Sequence, residues 1–233
     1  MQLKSLQHRQ KRKRRSSFLL HTVNYYPAFL NISGKKAVIV GGGTIAERKA
    51  ITLVRSGARV TVISPTLTAR LLQEKKKNTI RHIARRYRKG DLKGSFLVIA
   101  ATDTPAVNSK VAHDAPSLVN VVDVPDECTF IAPSVVRRGP LTIAVSTAGK
   151  SPAFARTLRR ELEKAYGPEL GAYLEYMGKL RKKALAAVCD RNKRERFLKD
   201  LASERVLHLL RTRGLMHVKE KAEEQLLKLT ASS

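Results

Sequence analysis

The sequence predicts an α/β fold: a parallel, doubly wound sheet, then a short pair of strands, then a helical domain to the C-terminus. Three observations predict it. Apolar, β-branched runs alternate with helix-period segments from residue 35 onward; one strand-to-helix junction is the triplet Gly41-Gly42-Gly43; and beyond Ser151 only helix-period segments occur.

Lys36-Ala-Val-Ile-Val40 is short, apolar and stopped by glycines, which predicts a fully buried first strand. Ala46, Ala50, Leu53 and Val54 then fall on one face of a helix that Gly57 ends. Arg59-Val-Thr-Val-Ile63 is a second strand, closed by Ser64-Pro65. A short helix near 67–75 and a third strand near 79–84 follow. Phe96 to Ala101 reads as a fourth strand, Pro105 to Ala112 as a helix and Leu118 to Val122 as a fifth strand. Ser134 to Ser146 reads as strands around the turn-like Arg137-Arg138-Gly139-Pro140. Ser151-Pro152 offers an N-cap with proline at the first helical position, and Phe154, Ala155, Leu158 and Leu162 line one face of the helix that follows. Gly167-Pro168 breaks it, and further helices are predicted at 169–188, 193–200, 203–212 and 216–229, with Gly214 as a stop. The expected domains are a dinucleotide-binding domain over 23–133, strands over 134–150 and helices over 151–233.

Residues 1–22 stand apart as a basic, disordered extension. They hold the block Lys11-Arg-Lys-Arg-Arg15 and no acid. Phe18-Leu19-Leu20 is too short for the apolar core of a signal peptide; the block fits a nucleic-acid or anionic-surface patch or a nuclear-import-like motif, and an extension from an upstream start codon is the favoured expectation. The whole chain carries 46 Lys and Arg against 19 Asp and Glu, a net charge of +27. Half of the bases between residues 23 and 150 fall from Arg70 to Lys93. Such an excess fits an anionic partner, either nucleic acid or a polycarboxylate small molecule, or a proteome with a basic bias. Only Tyr87 interleaves the Arg70–Lys93 bases, which weakens a role in stacking single-stranded nucleic acid. The longest apolar run, Phe96 to Ala101, is far too short to span a bilayer. Cys128 and Cys189 have no metal-ligand spacing and read as free thiols of a reducing cytoplasm.

The chemistry concentrates at Val40-Gly41-Gly42-Gly43-Thr44-Ile45-Ala46. A dinucleotide needs a sharp turn after a buried strand, a close backbone approach to its pyrophosphate and a helix N-terminus aimed at it. Gly41 suits the turn, Gly43 the approach and Ala46 the tight helix–strand contact. This predicts a Rossmann-type site for NAD. The acid expected at the end of the second strand to bind the adenosine ribose is missing; Ser64-Pro65-Thr66 stands there, with no adjacent arginine for a 2′-phosphate, so NADP stays open. Two scarce carboxylates lie past strand ends, where open parallel sheets bind ligands: Asp103 and Asp123. Asp103, within Thr102-Asp103-Thr104-Pro105, is equally readable as a helix cap. Asp123 precedes no helix and is the better candidate base. The six histidines form no metal or triad pattern.

Together, Val38 to Lys49, Ile99-Ala-Ala-Thr-Asp103, Asn120-Val-Val-Asp123, Phe130-Ile-Ala-Pro-Ser134 and Ala144 to Pro152 resemble the precorrin-2 dehydrogenase family, which includes the N-terminal module of siroheme synthase. The similarity runs over about residues 25–200 in matching order, in the stand-alone form without a methyltransferase half. The resemblance implies oxidation of precorrin-2 to sirohydrochlorin with NAD as hydride acceptor. Some members also insert ferrous iron, and no residue pattern here separates the two kinds. It further implies a homodimer built on the strand region, with the active site between the Rossmann and helical domains. By the same resemblance Asp123 is the essential aspartate, and cofactor contacts fall on Gly41 to Ile45, on Ser64-Pro65-Thr66 and on Thr102. Ser146 and Thr147 match a substrate-side serine region. A dinucleotide sensor, a nucleic-acid binder or an oxidoreductase of another polyanion remain the alternatives.

Overall fold

The computed structural model describes residues 25–231, so the predicted N-terminal extension lies outside it. Two compact units divide at Ala132 and Pro133.

The first unit is built on five parallel strands: β1 (Lys36–Val40), β2 (Arg59–Ile63), β3 (Ile80–Ile83), β4 (Leu97–Ala100) and β5 (Leu118–Val121). Their order is β3-β2-β1-β4-β5, so the chain winds outward from β1 in both directions and the switch point lies between β1 and β4. The register runs Val40 beside Ile63 on one side and beside Ala100 on the other. Alternation along each strand loads both faces. Ala37, Ile39, Val60, Val62, Leu97 and Ile99 pack with Ala46, Ala50 and Leu53 of helix α1 (Thr44–Arg55) and Leu71 of α2 (Ala69–Lys76). Val38, Val40, Ile63, Val98, Ala100, Val119 and Val121 pack on the opposite face with Val111 of α3 (Pro105–Asp114). This two-sided burial explains why β1 and β4 read as continuous apolar runs.

The edges of the predicted elements shift by a residue or two. The second helix starts at Ala69, because Thr68 caps it by accepting from the Leu71 N–H at 3.3 Å. Beyond β5 a 3-10 turn at Pro125–Glu127 leads to residues 128–130, which return along β5. There the Thr129 N–H donates to the Val119 carbonyl at 2.9 Å, and the Val119 N–H donates to Thr129 Oγ1 at 2.8 Å.

The second unit opens with an antiparallel hairpin, β6 (Ser134–Arg138) and β7 (Leu141–Val145). Helices α4 (Pro152–Ala165), α5 (Pro168–Ala187), α6 (Arg191–Leu201) and α7 (Glu204–Ala231) follow. Gly214 breaks α7 with φ 81 and ψ 173, at the residue where the sequence places a stop. Ser151 caps α4 through the Phe154 N–H, with Pro152 in the first turn, and Asp190 caps α6 through the Asn192 and Lys193 N–H groups. The hairpin belongs with the helices: Arg138 donates to the carbonyls of Tyr166 at 2.8 Å and Glu163 at 3.0 Å, occupying the C-terminal end of α4. The core is Leu180, Ala184, Phe197, Leu201, Ala222 and Leu226, continued by Tyr173, Val206, Leu210 and Val218. Of the stripe predicted on α4, Ala155 is buried, whereas Phe154 and Leu158 stay 56% and 37% exposed.

Candidate functional site

The three glycines do different work. Gly41 has φ +124, and a Cβ there would lie 2.1 Å from the Ala101 carbonyl oxygen. The turn therefore presses on the chain leaving β4, at the switch point. A Cβ on Gly42 would lie 2.0 Å from the Thr66 carbonyl oxygen and 2.4 Å from Ser64 Oγ. Thr68 N–H donates to the Gly42 carbonyl at 3.1 Å, so the loop after β2 docks on this glycine. A Cβ on Gly43 would meet nothing within 4 Å. That is the bare side of the turn, at the N-terminus of α1, where four backbone N–H groups lack helical partners. Ala46 is fully buried against the sheet, while Thr44 and Ile45 are exposed beside the opening. The residues present thus fit a dinucleotide: two glycines close the protein onto itself and the third leaves room for an anion.

Ser64 is buried, and its hydroxyl donates to the Thr66 carbonyl at 2.6 Å, bracing the loop. Pro65 and Thr66 are exposed next to the turn. The Ser64 carbonyl lies 2.9 Å from His82 Nε2. On the other flank, Asn108 of α3 organises the loop after β4. Its Oδ1 accepts from Thr102 N–H and Oγ1 at 3.1 and 2.7 Å, and its Nδ2 donates to the Thr102 carbonyl at 2.9 Å. Thr104, not Asp103, is the N-cap position of α3 and makes no side-chain cap; Asp103 is exposed in the loop.

Asp123 stands two residues beyond β5 and is exposed, with φ 61. A non-glycine residue in this left-handed region costs on the order of 1 kcal/mol and persists only where its surroundings impose it. Half-buried Lys49, from the second turn of α1, lies within electrostatic reach of Asp123. Burial pushes its ammonium below the ordinary lysine range, Arg48 adds to this, and the neighbouring Cys128 and Asp123 act in the opposite direction. The sheet end therefore brings a carboxylate, an ammonium and a thiol into one neighbourhood. Ser146 and Thr147 lie in the second unit, in the loop between β7 and α4. Their hydroxyls accept from the Ala148 and Ser151 N–H groups at 3.0 and 3.1 Å.

Sequence reasoning missed Asn108, Lys49 and Asn120. The first and last are buried polar residues inside apolar elements, which is the one signal that marks them. Among the described residues no group of three or more His, Cys, Asp or Glu could hold a metal ion, and no helix is long and apolar enough to cross a membrane.

Comparison with known proteins adds the following. Residues 28–134 match a family described as NAD(P)-binding, and residues 138–165 match the family described as sirohaem biosynthesis protein central. Siroheme synthase 1 of Aeromonas salmonicida is 40% identical over 184 residues, covering 78% of this chain and 39% of that protein. The siroheme synthase of Nitrosomonas eutropha is 45% identical over 165 residues, covering 68% of this chain and 34% of that protein. The chain thus spans less than half the length of these relatives. A solved structure titled SirC, precorrin-2 dehydrogenase, superposes with a TM-score of 0.73 at 23% identity, over 86% of this chain and 100% of that one. That likeness establishes the fold: a parallel five-stranded sheet with helices, a small antiparallel sheet and C-terminal helices.

Proposed function

We propose that the chain, which matches the NAD(P)-binding and sirohaem biosynthesis central families over most of its first 165 residues, is a precorrin-2 dehydrogenase that oxidises precorrin-2 to sirohydrochlorin with NAD, in siroheme biosynthesis. The observation that carries this reading is the pairing, at one sheet end, of a glycine turn open at Gly43 with the carboxylate of Asp123 beyond β5.

The reaction removes two hydrogens from the macrocycle, one as hydride and one as a proton. A bound NAD supplies the hydride acceptor. The Gly41–Ala46 turn and the N-terminus of α1 would hold its pyrophosphate, with Ser64 to Thr66 and Thr102 to Asp103 as further contacts. Asp123 takes the proton at its carboxylate. Lys49 lies within electrostatic reach of that carboxylate. The substrate is a polycarboxylate, and a chain with net charge +27 draws it in at long range. Where ferrous iron is a second substrate, pyrrole N–H protons must leave as it enters, and Asp123 is the group to accept them.

The chain works as a homodimer in the cytoplasm on this reading. Support comes from Phe154 and Leu158, an apolar pair on α4 that the second unit leaves uncovered, and from two free thiols. Light scattering of the purified protein tests the dimer.

The deciding experiment mixes protein, precorrin-2 and NAD, with and without ferrous iron, and follows the spectrum. Sirohydrochlorin should form in both, and its conversion to siroheme on adding iron would reveal chelation. Asp123→Ala should bind NAD and form no product. Wild-type turnover by that variant would remove Asp123 from the mechanism. Replacing NAD by NADP in the same assay tests the cofactor choice.

A further inference from the structure

Asp123 needs something to keep it in its left-handed conformation, and its neighbours in sequence supply little. Val122 N–H reaches the Ala100 carbonyl at 3.0 Å, but the turn closure from Val124 N–H to the Val121 carbonyl is long, 3.4 Å. The stronger tie comes from Cys128. Its sulfur accepts from the Val121 N–H at 3.1 Å, and its thiol proton is within reach of the Val121 carbonyl at 3.2 Å and the Val124 carbonyl at 3.3 Å. The thiol therefore bridges the residues on both sides of Asp123. Asn120, buried in β5, fixes the thiol in turn: its Nδ2 donates to the Phe130 carbonyl at 3.1 Å and to Cys128 Sγ at 3.5 Å.

We propose that Cys128 is a positioning residue for Asp123, closing the loop that presents the carboxylate at the end of β5 while taking no part in the chemistry. The proposal rests on the assignment of Asp123 as the base. Burial pushes the Cys128 thiol above the ordinary range, which keeps on it the proton that the loop carbonyls need. A carboxylate freed to wander by about 1 Å loses on the order of a hundredfold in rate, whereas the glycine turn that holds the dinucleotide, on another strand, is untouched.

The test compares Cys128→Ala, Cys128→Val and Cys128→Ser with Asp123→Ala in the full chain, assayed with precorrin-2 and NAD well below each variant's melting temperature. Cys128→Ala and the larger, apolar Cys128→Val should lower kcat about a hundredfold and leave the KM for precorrin-2 and the Kd for NAD unchanged. Cys128→Ser, whose hydroxyl also donates and accepts, should recover most of the rate. Wild-type kcat in either Cys128→Ala or Cys128→Val, with Asp123→Ala inactive, would overturn the proposal and leave the base in place. An equal loss in Cys128→Ser would also overturn it, since hydrogen bonding would then not be the cause. Turnover by Asp123→Ala would instead bring down the assignment of the base, and the positioning role with it.

Discussion

Gly171 of α5 and Gly139 of the β6–β7 turn meet backbone to backbone. A Cβ on Gly171 would lie 2.8 Å from the Gly139 nitrogen and 2.6 Å from the Arg138 carbonyl carbon. No flexible side chain is available to yield. Gly171→Ala should therefore destabilise the second unit by about 1–3 kcal/mol, as overpacking of a close contact does. Gly178→Ala in the same helix is the control: a Cβ there meets nothing within 4 Å. It should stabilise by about 0.5–1 kcal/mol through helix propensity alone. Urea unfolding of the two variants should move the midpoint in opposite directions.

The division of labour within the glycine turn separates stability from affinity. Gly42→Ala should lower the melting temperature of the protein without cofactor, because its Cβ collides with Thr66 and Ser64. Gly43→Ala meets no protein atom and should change that temperature little. It should nonetheless weaken NAD binding about tenfold or more, since the added methyl occupies the approach to the pyrophosphate. Calorimetric titration beside a thermal melt distinguishes the two. A Gly43→Ala protein with normal affinity would mean that the dinucleotide lies elsewhere.

Stability should fall in alkali through Tyr173. Its hydroxyl donates to the Leu201 carbonyl at 2.8 Å, and burial pushes the phenol up to about 12. In the unfolded chain it ionises near its ordinary value of about 10. The raised value means that its contribution is complete below about pH 10 and is lost as the pH climbs towards 12, where only the unfolded state has released its proton. Tyr173→Phe should cost about 0.5–1.5 kcal/mol at neutral pH and flatten this alkaline slope. Denaturant midpoints collected from neutral to strongly alkaline pH give both numbers. An unchanged slope would place the alkaline sensitivity in other groups.

Charge should govern encounter rather than chemistry. For a polycarboxylate substrate meeting this basic chain, kcat/KM should drop as ionic strength rises while kcat holds, because salt screens attraction over the Debye length. Steady-state kinetics across a salt series tests it, and a flat kcat/KM would assign the excess of Lys and Arg to another purpose.

Much of this architecture is legible in the sequence because it rests on periodic or local signals. β1 and β4 appear as apolar runs, since burial on both faces leaves no polar alternation, while the β-branched Arg59–Ile63 and the edge strand Ile80–Ile83 keep polar residues. Gly57, Gly167 and Gly214 punctuate the helices where they are read. Asp123 stands out because acids are few and it follows a strand. What stayed hidden depends on contacts that only the folded loops make. The hold of Asn108 on Thr102 and of Asn120 on Phe130 comes from folded geometry, and a single polar residue carries no period. The roles of Gly42 and Gly43 differ only because the loop after β2 returns to one of them. The exposed side of α4 at Phe154 and Leu158 has the same pattern as a buried face, so amphipathicity alone could not say what covers it.

The return of residues 128–130 along β5 has one more effect. A strand at the margin of a sheet is a template on which another chain can grow, and here that template is already used up. Thr129 and Cys128 occupy the N–H and carbonyl groups of Val119 and Val121 that β4 does not take. The opposite margin, β3, is only four residues long and carries Arg81 exposed in its middle. Strand addition, the usual first step towards amyloid-like stacking, thus finds a plugged edge on one side and a short, charged one on the other.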